Sequence, residues 1–139
     1  MNRKILFRGK RMDNGEWETG SLVVLWEGTS CEHVYIADKV TGYHAPVAPS
    51  TVGQSTGLTD RNGKRIFEGD IVEASDYTAE DGYGEIIWDG DDAKYAILGC
   101  NGNTLMTDFD NYYGRELEVI GNIHDNPELV GGAEHGRTD

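Results

Sequence analysis

The side chains in this sequence best suited to chemistry are Cys31, His33 and His44, a second thiol at Cys100, and a large excess of carboxylates. Cys31-x-His33 with His44 offers two or three ligands to a metal ion. Structural zinc sites take four ligands, usually as two spaced pairs, and only one pair is present. His33 also stands in an alternating stretch, His33 to Ala37 (HVYIA), where a solvent-facing histidine is ordinary. Cys31 or Cys100 beside a histidine and an acid would make a nucleophile and base, but nothing brings them together, and buried structural thiols are the commoner outcome. Carboxylates this numerous put some pair within reach by chance, so a glycosidase-like acid/base argument discriminates nothing. Asp89-Gly90-Asp91-Asp92 resembles the start of a calcium loop, yet it lacks the ligand spacing and terminal bidentate glutamate of the twelve-residue loop. No glycine loop ending in Lys-Ser or Lys-Thr and no dinucleotide fingerprint occurs. The expectation is a protein that is not an enzyme, with no catalytic, cofactor-binding or metal-binding residues and no cofactor.

Charge is distributed unevenly. The total is −13 over 139 residues. Residues 1–65 hold nine basic and seven acidic side chains, residues 66–139 three basic and eighteen acidic. Arg3, Lys4, Arg8, Lys10 and Arg11 crowd the first eleven residues, whereas Glu68 to Asp92 carries ten acids and no lysine or arginine. Phosphate backbones repel such an acidic half, because nucleic-acid affinity comes from cations that release condensed counterions. Any nucleic-acid contact must therefore use the amino-terminal segment. Acidic surface also keeps a glycine-rich β protein soluble and its sheet edges apart. The longest apolar run, Leu22 to Trp26, is five residues against the roughly 20 of a membrane span, so no membrane contact is expected. Arg3-Lys4 is followed by only three apolar residues, which does not make a signal peptide. Two cysteines without an export signal read as free thiols in a reducing cytoplasm.

The elements that must position these groups are short strands. The 19 glycines mostly fall beside Asp, Asn or Ser, and only three prolines occur. Lys4 to Arg8 alternates, Asp13-Asn14-Gly15 turns the chain, and Trp17 to Trp26 continues as a longer strand with a bulge or bend expected at Gly20. Ile71 to Ala74, Glu85 to Trp88, Tyr95 to Leu98 and Glu118 to Ile123 are further strands. Leu105 to Tyr113 fits either a strand or a helical turn, and Pro127 to Leu129 suits one closing turn. The fold class is mostly β, all-β or α+β, built of short antiparallel strands. Gly69-Asp70, a variable loop over Asp76 to Gly82, the glycine-led strand Gly84 to Trp88 and a tight hairpin give the second half the order of a small Src-homology-type barrel. One domain spans residues 1–130, with sub-lobes 1–58 and 59–130, before a loose tail at 131–139.

The seventeen residues Thr56 to Val72, TGLTDRNGKRIFEGDIV, carry the most specific pattern. Asn62-Gly63 is the dipeptide of turns that need positive φ, and Gly69-Asp70 restarts the chain after Ile66-Phe67. With Ile5 to Arg11 and Asp13 to Trp17 before it, and Glu118 to Leu129 (EVIGNIHDNPEL) after it, this stretch resembles the YopX family of phage and prophage proteins. The three blocks fall in order across residues 3–130. The resemblance implies a β-rich phage or prophage product in a bacterial cytoplasm that self-associates, and it supplies no catalytic residues.

Within the blocks, Gly57, Gly63, Gly69 and Gly121 suit positive φ or close strand approach. Ile66, Phe67, Ile71, Val72, Val119, Ile120 and Ile123 suit a core, and Asp60 and Asp70 can close their turns on backbone N–H groups. The competing functional reading puts Arg65, Glu68 and Asp70 on a partner-binding surface. Three roles follow. The first is a non-catalytic binding or assembly module, a homo-oligomer joined through sheet edges or an apolar face bearing Trp17, Trp26 or Trp88. The second is a nucleic-acid-binding small barrel using the basic amino-terminal segment. The third is an acidic DNA-mimic-like inhibitor of a host bacterial nucleic-acid-binding protein, using Glu73, Asp76, Glu80, Asp81, Asp89, Asp91 and Asp92.

Overall fold

The computed structural model describes residues 5–28, 31–38, 40–74, 83–90, 93–99, 105–106 and 117–130. The strands are β1 (Phe7–Lys10), β2 (Trp17–Glu27), β3 (Cys31–Ala37), β4 (His44–Pro46), β5 (Gly53–Thr59), β6 (Arg65–Phe67), β7 (Asp70–Ala74), β8 (Tyr83–Asp89), β9 (Lys94–Gly99), β10 (Leu105–Met106) and β11 (Leu117–Asn122). Single 3-10 turns at Pro49–Thr51 and Pro127–Val130 are the only helical elements among the described residues. The mostly β, antiparallel expectation holds. The chain divides into two compact units, Met1–Ser55 and Thr56–Asp139, and β5 runs from one into the other.

In the first unit the strand order is β4-β3-β2-β1, with the start of β5 beside β1. β2 is one continuous strand, and it changes partner midway. Trp17 to Gly20 pair with β1, and Ser21 to Glu27 pair with β3. Gly20 stands at that changeover because β3 passes very close: a Cβ there would lie 2.0 Å from the Ala37 carbonyl oxygen. The glycine thus marks a close approach. Leu22 and Val24 oppose Ile36 and Val34 across the ladder. Val34, Ile36 and Val47 are buried, with Phe7, Leu22 and Val52 packed against them. Each such side chain contributes roughly 1.5–3 kcal/mol when fully buried. The turn between β1 and β2 follows its sequence: Gly15 has φ 75°, and Asn14 Oδ1 accepts the Glu16 N–H at 2.9 Å.

In the second unit the sheet order is β10-β9-β8-β7-β11. This is a meander with β11 brought back beside β7, the barrel-like order expected of the second half. No ladder joins β10 to β11 among the described residues. Ile66, Val72, Ile86, Ile97 and Leu117 form the core, with Tyr95 and Val119 against it. Gly69 has φ 89°; its N–H donates to Ile86 O and its carbonyl accepts from Ile123, so the turn is tied to strands on both sides. Asp70 is buried and accepts the Phe67 N–H at 2.8 Å, closing the β6–β7 turn. Residues 131–139, and 107–113 of the ambiguous Leu105 to Tyr113 stretch, lie outside the described residues; Leu105–Met106 is a strand.

Candidate interaction surface

The residues that first suggested chemistry do not converge. His44 pairs with Ala37, four residues along β3 from His33. At about 3.3 Å per residue that separates the two histidines by roughly 13 Å. Cys31 pairs by its backbone with Glu27, and Cys100 lies outside the described residues. No group of three or more His, Cys, Asp or Glu is placed to hold a metal among the described residues. Of the acidic set, Glu73 is exposed and Asp89 half-buried, while Asp76, Glu80, Asp81, Asp91 and Asp92 lie outside the described residues. Within the signature, Asp70 is buried while Arg65 and Glu68 are half-buried.

The basic start is largely engaged within its own unit. Arg3 and Lys4 lie outside the described residues. Arg8 is buried, its guanidinium 4.5 Å from the Trp17 ring centre, and the Lys10 ammonium stands 5.6 Å from the same ring. The strand pattern causes this: Arg8 and Lys10 share one face of β1, and Lys10 is the register partner of Trp17. Arg11 bonds Asp13 at 2.8 Å, lies 3.4 Å from Glu18 and stacks 5.5 Å from the Tyr43 ring centre. The Arg11 hydrogen bond holds the Asp13 carboxyl below the ordinary carboxylate range. Three cations of the expected patch are thus occupied by aromatic rings or carboxylates.

The far end of the β2–β3 ribbon is different. Side chains alternate between faces, so Leu22, Val24 and Trp26 share the face that carries Val34 and Ile36, and Val23 and Leu25 share the other with Tyr35 and His33. The buried cluster reaches only as far as Val34. Beyond it, Leu25 is 52% exposed and Trp26 is 64% exposed, on opposite faces of the same ribbon. A two-stranded ribbon is marginally stable in water unless a hydrophobic face is covered. Apolar side chains displayed on both faces are suited to contact with another surface. The sequence held a signal for this. Five consecutive apolar residues in a strand must put some on each face, and only one face of this ribbon meets the core.

Trp88 is the other exposed tryptophan, at 51%. It pairs with Tyr95 across the β8–β9 hairpin, rings edge to face with centres 5.0 Å apart, at the end of the second unit's core. Trp17 is half-buried, with the Arg8 guanidinium and the Lys10 ammonium over its ring. The carboxylate of Asp60 accepts three backbone N–H groups. Its Oδ1 accepts N–H groups of Asn62 at 2.9 Å and Lys64 at 2.8 Å, and Oδ2 accepts that of Val119 at 2.9 Å. Burial pushes this carboxyl up, but the bonds from Val119, Lys64 and Asn62, with the Lys64 charge, outweigh it and hold the group below the ordinary range. Arg61, next along, bonds Glu118 at 2.7 Å.

These features define a small antiparallel β protein whose signature segment is bound into the fold by turn and edge hydrogen bonds, with exposed aromatics left outside it. The chain belongs to the YopX family: the family model described as YopX protein matches residues 6–131. Among solved structures, the chain is similar to protein EF1440 from Enterococcus faecalis, with a TM-score of 0.58, 24% identity, and coverage of 93% of this chain and 99% of that one. It is also similar to protein yopX from Bacillus subtilis, with a TM-score of 0.49, 17% identity, and coverage of 91% and 96%. Comparison with curated proteins found no match. No helix among the described residues is long and apolar enough to cross a membrane.

Proposed function

We propose that this protein is a non-catalytic binding or assembly module that self-associates through the end of its β2–β3 ribbon, with phage or prophage origin and a bacterial cytoplasm as its setting. The observation that carries the reading is the pair Leu25 and Trp26, both more than half exposed and on opposite faces of one ribbon. A second copy covering the Trp26 face would bury an aromatic anchor, the kind of residue that dominates interface energies, and one covering the other face would bury Leu25. The nucleic-acid alternative draws less support, because Arg8 is buried and Arg11 is paired with two carboxylates. A host bacterial protein is the other partner that the same ribbon would suit.

The test is light scattering coupled to size exclusion on the wild type and on a Leu25→Lys/Trp26→Lys variant. Both positions are exposed, so the variant is expected to fold. The wild type should run as an oligomer at micromolar concentration and the variant as a smaller species. A wild type that stays monomeric over the whole concentration range contradicts self-association.

A further inference from the structure

β11 stands at the end of its sheet, where a strand normally leaves a row of N–H and C=O groups open to pairing with another chain. In an antiparallel ladder, successive residues turn both backbone groups alternately toward and away from the neighbouring strand. On β11 several of the outward groups are engaged by pieces of the same unit. Leu117 O accepts the Arg61 N–H at 2.8 Å, and the Val119 N–H donates to Asp60 Oδ2 at 2.9 Å. An N–H offered to one residue and an oxygen offered to the residue two further on are what a single residue of an added parallel strand would supply. Here a backbone N–H and a side-chain carboxylate supply them instead. Beyond the irregularity between Val119 and Gly121, both backbone groups of one residue are engaged, as an antiparallel neighbour would engage them. The Asn122 N–H donates to Asn126 Oδ1 at 3.1 Å, and the Asn126 N–H donates back to Asn122 O at 2.8 Å. Gly121 is what lets Asn126 approach so closely, since a Cβ there would meet Asn126 Oδ1 at 2.5 Å.

We infer that the Asp60 carboxylate with the neighbouring Arg61 N–H, and Asn126, are an edge guard: each of the two imitates one residue of a neighbouring strand, and together they hinder strand addition to β11 by a second copy of this chain. Asp60 lies in the Thr56 to Val72 signature and Asn126 in the block around Glu118 to Leu129, so two of the recurring segments cooperate on one edge. The guard is independent of the β2–β3 ribbon and does not rest on the reading proposed for it.

Asp60→Asn is the informative substitution. Its remaining carbonyl oxygen keeps the bonds from Asn62 and Lys64, while an amide NH2 replaces Oδ2 and faces the Val119 N–H. The experiment compares wild type, Asp60→Asn, Asp60→Asn/Asn126→Ala and Arg61→Ala by analytical ultracentrifugation and amide exchange, each also in a Leu25→Lys/Trp26→Lys background so that ribbon-mediated association is removed. The expected result is that the double variant keeps its circular dichroism spectrum and exchanges the Val119 and Asn122 amides about tenfold faster. It also shifts to larger species as concentration rises. Arg61→Ala, which keeps the backbone N–H, behaves as wild type. Adding Ile120→Lys, a charge at an exposed position of the edge, returns the double variant to the wild-type distribution. A folded double variant with the wild-type distribution overturns the inference. So does association that survives Ile120→Lys, because the contact then lies elsewhere. If the double variant does not fold, Asp60→Asn alone is read against the same two outcomes.

Discussion

Asp60 has two oxygens serving three backbone donors, and the division between them separates local from tertiary work. Oδ1 holds the turn through Asn62 and Lys64; Oδ2 reaches Val119, fifty-nine positions away in sequence. Asp60→Ala leaves three donors without that acceptor, an expected loss of about 2–4 kcal/mol in denaturant unfolding. The pH dependence has a definite sign. An unfolded aspartate titrates near 3.9, and the folded group sits lower. Its stabilisation is therefore complete well above pH 4 and disappears as pH falls through the folded value. The difference in stability between wild type and Asp60→Ala should be full at pH 7 and shrink on acidification toward pH 3; a difference independent of pH would show that the ionised form is not what the donors require. The local half of this was legible, since Asp-x-Asn-Gly is turn chemistry. The Val119 bond was not, because nothing in Asp60's own neighbourhood specifies which distant strand it will meet.

Among the elements, the β2–β3 ribbon begins where its sequence indicates, at Trp17. Trp17 and the strand character were evident from alternation, and Gly20 looked like a bend because glycine weakens strand interiors. The strand is continuous through Gly20, where its partner changes, and the glycine admits the Ala37 carbonyl. Gly20→Ala is expected to cost about 2 kcal/mol or more, since the clash is with backbone that cannot rotate away. A thermal melt unchanged from wild type would contradict the close approach. The strands from Ile71 to Ile123 were legible from their alternating apolar residues and glycine turns, and β7, β8, β9 and β11 lie close to the expected ranges. The fate of the basic segment was harder to foresee. Arginine reads as surface, and only the register that sets Lys10 opposite Trp17 brings Arg8 beneath an indole.

For the whole molecule, the recurring blocks of the YopX family explain turns, core and one guarded edge, and this directs the search for function away from them. Asp60, Asp70 and Gly69 are occupied by backbone hydrogen bonds, whereas Leu25 and Trp26 are exposed and apolar. The acidic balance of residues 66–139 adds a further expectation. Each copy carries a net charge of −13, so raising salt should strengthen association by screening the repulsion between copies. An assembly that dissolves in salt would instead point to ionic contacts between unlike charges. The central claim is tested most directly by the solution mass of the wild type beside Leu25→Lys/Trp26→Lys, measured by light scattering at matched concentrations. Self-association through the ribbon predicts a multiple of the chain mass for the first and a smaller species for the second. Equal masses for the two folded proteins would contradict it.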